Sequence, residues 1–167
     1  MLTTPEVKKI LYVTDLGKHT RPVFLHALAQ AANNNASLHV LHVVEPMTEV
    51  TCAVIQQYLS EEDVKKVRKD GMKKVLKYMK KRIDKFLHDE CGGKSLESEP
   101  IEEILVVAGK PSEEILRVAE EHEMDMIVIG KSSRKVRGSK VMGSTTRRVN
   151  RLSKIPVLVV PNVVPSK

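Results

Sequence analysis

Apolar positions along the chain follow two alternating patterns. Five short runs are nearly continuous in aliphatic residues: KKILYVT, with its strand at Ile10 to Thr14, then SLHVLHVV, IEEILVVA, MDMIVIG and IPVLVV. Unbroken runs of this kind fit strands covered on both faces. Between them the apolar spacing becomes helical. In TRPVFLHALAQAANNN the positions Phe24, Leu25, Leu28, Ala31 and Ala32 recur on one side. Thr20 stands as a candidate N-cap, Pro22 fits the first turn, and Asn33 to Asn35 stop the helix. From Glu61 to Glu90 a long stripe runs through Val64, Val67, Met72, Val75, Leu76, Met79, Ile83, Phe86 and Leu87. Acids at Glu61 to Asp63 open that helix, as its dipole prefers. A fourth-strand approach follows Gly109-Lys110-Pro111, where Lys110 or Ser112 caps a helix with Glu113 and Glu114 in its first turn. A last helix starts near Gly143. The segment from Met47 to Ser60 fits a loop or a short helix equally.

Strands therefore alternate with helices as βαβαβαβαβ. Right-handed crossovers turn that order into an α/β fold: a doubly wound, five-stranded parallel sheet with helices on both faces. The 167 residues form one domain, and no internal repeat breaks the chain.

Composition narrows the functional classes. Aromatic residues are only 3% and Trp is absent, so the core is aliphatic and a base-stacking platform has no material. No apolar window approaches the roughly 20 residues needed to span a bilayer, and the N-terminus lacks a charged head with a long apolar run. A cytoplasmic location with no membrane partner is expected. Cys52 and Cys91 form no motif and read as inert thiols.

The net charge of +7 is concentrated in two places. Eleven lysines and arginines lie between Lys65 and Lys85, interrupted by Asp70 and Asp84. The i,i+4 pairs Glu61–Lys65, Glu62–Lys66 and Asp70–Lys74 give that helix the look of a solvated face. The alternative is that this face binds nucleic acid or an anionic membrane, but a continuous helix without arginine clusters or exposed aromatics is a poor base reader, which argues against nucleic acid. Nine cations lie between Lys131 and Lys154 with no acid among them. Of the six histidines, His39 and His42 form H-x-x-H, but on a strand they point to opposite faces and do not make a metal pair. His42 is expected near the cleft or within the sheet, and His122 facing solvent. No catalytic triad or acid pair can be assembled from spacing, and no metal ligand set is expected.

In a doubly wound sheet, ligands bind beyond the C-terminal strand ends, where strand order reverses. Asp15, Val43, Gly109 and Gly130 all stand at or near such ends. Gly130 ends a strand where a bulky side chain could keep a ligand from the backbone. Gly143, followed by Ser144, Thr145 and Thr146, introduces a helix whose first N–H groups are free, a ready anion site. Lys131, Arg134, Lys135, Arg137 and Lys140 surround it with charge that would steer a polyphosphate inward. The alternative is that both glycines are turn residues, Ser144 is only a cap and the cations are solvated. Spacing leaves both readings open. It is neither a Walker A loop nor a Gly-x-Gly-x-x-Gly motif.

Taken in order, KKILYVTD, NNNASLHVLHVVE, VVAGKPSEEILRVAEEHEMDMIVIG and GSTTRRVNRLSKIPVLVVP resemble the universal stress protein (UspA-like) domain. Nucleotide-binding members of that family carry Gly-x2-Gly-x9-Gly-Ser/Thr after the fourth strand. The resemblance implies strand order 3-2-1-4-5, a cleft between Asp15 and Gly130, and a homodimer formed through the last strand, Pro156 to Pro161. It implies an adenine nucleotide, ATP with Mg²⁺ held by its phosphates. Val13, Thr14 and Val43 would line the base end, and Asp15 would accept from the adenine or ribose edge. Gly109 would lie on the ribose side, with Ile129 and Gly130 beside the ribose and α-phosphate. Gly143, Ser144, Thr145 and Thr146 would hold the phosphates. The chain departs from the pattern at Ser133, which stands where the second glycine is found. There Ser either strains the backbone by roughly 1 kcal/mol or offers its hydroxyl to a phosphate. Members that do not bind ATP tend to lose the later Gly-Ser, which this chain keeps.

The expected function is that of a stress-response sensor or regulator binding ATP or a related adenine nucleotide, with slow hydrolysis at most. Two alternatives belong to other classes: a dimeric protein-interaction module with a vestigial cleft, and a polyanion-binding protein using the two basic clusters.

Overall fold

The computed structural model describes residues 3–17, 19–93, 99–132 and 141–162, with the side chains of 50, 51, 54 and 55 excepted. Five strands, β1 (Lys9–Val13), β2 (Ser37–Val44), β3 (Ile101–Ala108), β4 (Met126–Gly130) and β5 (Val157–Val160), form one parallel sheet in the order β3-β2-β1-β4-β5. The helices are α1 (Arg21–Asn34), α2 (Glu49–Gln56), α3 (Glu61–Glu90), α4 (Pro111–Glu121) and α5 (Ser144–Leu152). The expected architecture and strand order are those observed. The ambiguous segment before Ser60 contains a helix, α2.

Continuous aliphatic strands give the sheet two covered faces. On one face Ile10, Tyr12, Leu38, Val40 and Val128 pack against Val23 and Phe24 of α1 and Ile83 and Leu87 of α3. Phe24 joins Tyr12 and Phe86 there, with ring centroids 5.6 Å apart in each pair. On the other face Leu11, Leu41, Ile127 and Ile129 meet Ile115 and Val118 of α4 and Val149 of α5. Tyr12 is fully buried, and its hydroxyl lacks a hydrogen-bond partner among the described residues. Burial pushes its phenol well above the usual range; the Thr14 side chain opposes that shift, and the Asp15 and Glu90 carboxylates add to it.

Helix boundaries follow local chemistry, and three expectations need correction. Asn35 ends α1 in the left-handed conformation, φ 51°, which Asn tolerates. Ser60 caps α3 by accepting from the Asp63 N–H at 3.2 Å. Thr20 precedes α1, but its side chain does not cap the helix: the hydroxyl donates to the Gly17 carbonyl instead. The long apolar stripe of α3 is the second correction. Val64, Ile83 and Leu87 are buried, whereas Val67 and Val75 are exposed. The 30 residues of α3 reach about 45 Å, while the 8 residues of β3 reach about 26 Å. The helix outruns the sheet, so part of its apolar stripe has nothing to cover. The i,i+4 pairs expected along it do not form either: among the described residues no ion pair joins Glu61 to Lys65, Glu62 to Lys66 or Asp70 to Lys74. Exposed pairs of this kind gain about 1 kcal/mol at most and lose side-chain freedom, so water keeps them apart.

Candidate functional site

The chain reverses its winding between β1 and β4. Val13 pairs with Leu41 of β2 on one side and Ile129 of β4 on the other. The segments that follow, Thr14–Asp15 and Gly130–Lys131, therefore emerge side by side at the switch point, where a crevice must open. A cleft of about 680 Å³ lies there, within the range of about 300–1,000 Å³ typical of small-molecule sites.

Most of the expected residues meet in it. The end of β1 contributes Val13, Thr14 and Asp15, β2 contributes Val43, β4 contributes Ile129 and Gly130, and the start of α5 contributes Gly143, Ser144, Thr145 and Thr146. Gly109 is not part of its lining. It follows β3 at the edge of the sheet, its N–H donating to the Val44 carbonyl at 3.0 Å, with the Glu114 side chain packed over it. Ser133 lies outside the described residues, as do Arg134, Lys135, Arg137 and Lys140.

After β1 the backbone is held by its own side chains. The Thr14 hydroxyl accepts from the Leu16 N–H at 3.1 Å, and Asp15 Oδ1 accepts from the Gly17 N–H at 3.0 Å. Leu16 takes φ 56°, which folds the segment back. Asp15 thus stands exposed at the cleft with one oxygen engaged and Oδ2 available as an acceptor. A Cβ at Gly17 would sit 3.1 Å from Oδ1 and 3.2 Å from Oδ2, so this glycine keeps the carboxylate where it is. His42 is buried at the same place, its Nδ1–H donating to the Thr14 carbonyl at 2.8 Å. A carbonyl oxygen only accepts, so Nδ1 carries a proton there.

The opposite wall is the start of α5. Thr146 Oγ1 donates to the Gly130 carbonyl at 2.8 Å, and the Gly143 N–H donates to the Lys131 carbonyl at 2.8 Å. The first intrahelical bond runs from the Arg147 N–H to the Gly143 carbonyl, so the N–H groups of Ser144, Thr145 and Thr146 have no helical acceptor. Helices α2, α3 and α4 open with acids that offset their dipoles; α5 has none, nor does α1, whose Thr20 also borders the cleft. The positive end of α5 is left for an anion. Two details revise the expected roles. The Thr146 hydroxyl hydrogen is committed to Gly130, so Thr146 would reach a ligand through its N–H, and the Gly143 N–H is already taken. At Gly143 a Cβ would meet only ordinary contacts, the nearest at 3.5 Å, so the fold itself does not require glycine there.

Asn162 was not foreseen from the sequence. Its Oδ1 accepts from the Ser132 N–H at 2.9 Å and its Nδ2 donates to the His19 carbonyl at 3.2 Å. The side chain lies across Gly130, where a Cβ would come within 2.6 Å of Nδ2. Gly130 is therefore bare at least as much for Asn162 as for a ligand. The single sequence signal was an amide two residues past the last strand, with nothing to say what it would span. The far wall of the cleft, Val75 and Met79 of α3, was likewise read only as core stripe.

Comparison with known proteins agrees with this architecture. The sequence profile described as "Universal stress protein family" matches residues 6–161. Universal stress protein YxiE of Bacillus subtilis is 31% identical over 137 residues, covering 80% of this chain and 85% of that protein. Universal stress protein MJ0577 of Methanocaldococcus jannaschii is 29% identical over 160 residues, covering 92% of this chain and 94% of that protein. The solved structure of MJ0577 superposes with a TM-score of 0.68 at 26% identity, over 97% of this chain and 100% of that one. A universal stress protein solved in complex with cAMP has a TM-score of 0.56 at 21% identity, over 95% of this chain and 100% of that one. With the profile spanning nearly the whole sequence and the same sheet order beneath it, the chain belongs to the universal stress protein family.

Proposed function

We propose that the protein binds an adenine nucleotide, ATP in the first instance, in the β1–β4 cleft and acts as a regulator in stress tolerance. One observation carries this reading: the unpaired N–H groups at the start of α5 face a cleft whose other end presents Asp15. Amides suit a phosphate tail, a carboxylate suits ribose hydroxyls or the base edge, and Val13 and Val43 supply an apolar wall between. Asp15 and His42 stand at the end of the cleft away from the start of α5, so the reading is one of binding, with any Mg²⁺ arriving on the phosphates and any hydrolysis slow. The likeness to the cAMP complex carries the fold alone at its level of identity; the ligand is inferred from this chain's own cleft.

The test is direct. Protein purified natively and then heat-denatured is expected to release adenine nucleotide, and calorimetric titration with ATP and Mg²⁺ to show saturable binding. Asp15→Ala is expected to weaken affinity by about tenfold or more, the loss of a charge-assisted hydrogen bond. No released nucleotide together with no heat of binding would overturn the proposal.

A second copy pairing along β5 is part of the same proposal. Val157–Val160 is an edge strand, bonded to β4 and to no other described strand. A bare apolar edge is a template for another chain. That edge also favours the second reading, an interaction module whose cleft no longer takes nucleotide. Ser133→Gly separates the two: affinity gained only in that variant assigns the natural chain to the second.

A further inference from the structure

The outer ridge of α3 is a charged feature that the cleft does not use. At about 100° per residue, Val67, Lys74, Tyr78, Lys81 and Lys85 fall along one line, directly opposite Ile83 and Leu87 in the core. Val67 is 50% exposed and Tyr78 62% exposed. Between Lys65 and Lys85 the helix carries eleven cations and two acids, Asp70 on this ridge and Asp84 on its flank. None of those cations has an ion-pair partner among the described residues. The contrast lies within the same protein: Arg117 on α4 engages both Glu114 and Glu121, at 2.6 and 2.5 Å. The ridge also exposes Tyr78 and Val67 among its lysines, which corrects the expectation of a helix without exposed aromatics.

We infer that this ridge is a docking surface for an anionic lipid bilayer. Lysine stems lie along apolar surface while their ammonium groups reach the headgroups. Tyrosine is at home at the headgroup level, and Val67 adds apolar area beneath it. A polybasic run of this density is attracted to anionic lipid over a distance set by salt. A nucleic-acid duplex would meet the same charge, but it has no use for an exposed valine, and the line through Val67, Lys74, Tyr78, Lys81 and Lys85 carries no asparagine or glutamine to read adenine. Such attachment is peripheral and needs no spanning segment. No helix among the described residues is long and apolar enough to cross a membrane.

The experiment uses the full chain with vesicles of phosphatidylcholine alone and of phosphatidylcholine with about one-third phosphatidylserine, at about 0.1 M salt. Cosedimentation is expected with the anionic vesicles only, and to fall steeply at about 0.5 M salt. The triple variant Lys74→Glu, Lys81→Glu, Lys85→Glu is expected to bind at least about tenfold more weakly. Tyr78→Ala is expected to lower vesicle affinity severalfold while leaving affinity for a short duplex DNA unchanged. All four side chains are exposed, and circular dichroism checks that the variants fold. Absence of vesicle binding, equal binding to neutral vesicles, or binding preserved in the triple variant would overturn the inference. Tighter binding to the duplex than to the anionic vesicles, unaffected by Tyr78→Ala, would reassign the ridge to nucleic acid. None of these outcomes depends on nucleotide in the cleft.

Discussion

Two single positions allow the packing to be tested without touching the ligand. Tyr12 holds a neutral phenol in the core, and its raised pKa links stability to alkaline pH. The unfolded chain ionises this residue near pH 10, whereas the fold resists ionisation to higher pH. The stabilising contribution is therefore complete below about pH 10 and is lost as pH rises toward the folded value. Urea midpoints taken across that range are expected to fall less steeply in Tyr12→Phe, by up to about 1.4 kcal/mol per pH unit. At neutral pH the same variant is expected to be neutral or slightly more stable, because the buried hydroxyl it removes has no partner. Gly130→Ala works differently. Its Cβ would meet Asn162 Nδ2 at 2.6 Å, so the amide must leave and two hydrogen bonds go with it. A loss of about 1–3 kcal/mol in unfolding free energy is expected. Pairing it with Asn162→Gly relieves the clash without restoring those bonds, so the double variant should be no worse than Asn162→Gly alone.

At the scale of elements, the Thr146 hydroxyl ties the first turn of α5 to the end of β4. Thr146→Val keeps the shape and removes the donor to the Gly130 carbonyl. Thermal melts are expected to show a loss of about 1–3 kcal/mol. ATP affinity should fall as well, because the amides that would meet the phosphates are no longer held against β4. A variant that loses stability but keeps affinity would show that the helix start is positioned by other contacts. Element by element, the strands were legible because both their faces are buried, which writes a continuous aliphatic run into the sequence. The reach of α3 was not legible: amphipathic spacing says which side of a helix is apolar, and not how far the sheet beneath it extends. For the same reason Val67 and Val75 read as core, and the i,i+4 charges read as pairs.

For the whole molecule, the proposed assembly and ligand binding would both register as stability. In sedimentation velocity the protein is expected to run at about twice its 18.7 kDa chain mass, with amides of β5 slowed in hydrogen exchange beyond what pairing with β4 explains. A monomer at all concentrations would remove β5 as an interface. Saturating nucleotide at about 100 times Kd should add about 2.7 kcal/mol to the unfolding free energy. The switch-point cleft was legible from the alternation of elements together with the family pattern, down to Asp15 and the Gly-Ser-Thr-Thr segment. Asn162 was not, since its partners are 30 and 143 residues away in sequence and no local pattern announces such a contact.

That amide has a further consequence. By clasping the backbone after β4 and the backbone before α1 at once, the residue that follows the fifth strand braces both lips of the crevice. A tail severed just ahead of it would leave the sheet whole and its mouth slack. Whatever tugs on that tail, be it a neighbouring copy seated along the final strand or an attached segment of chain, would be felt where the ligand enters.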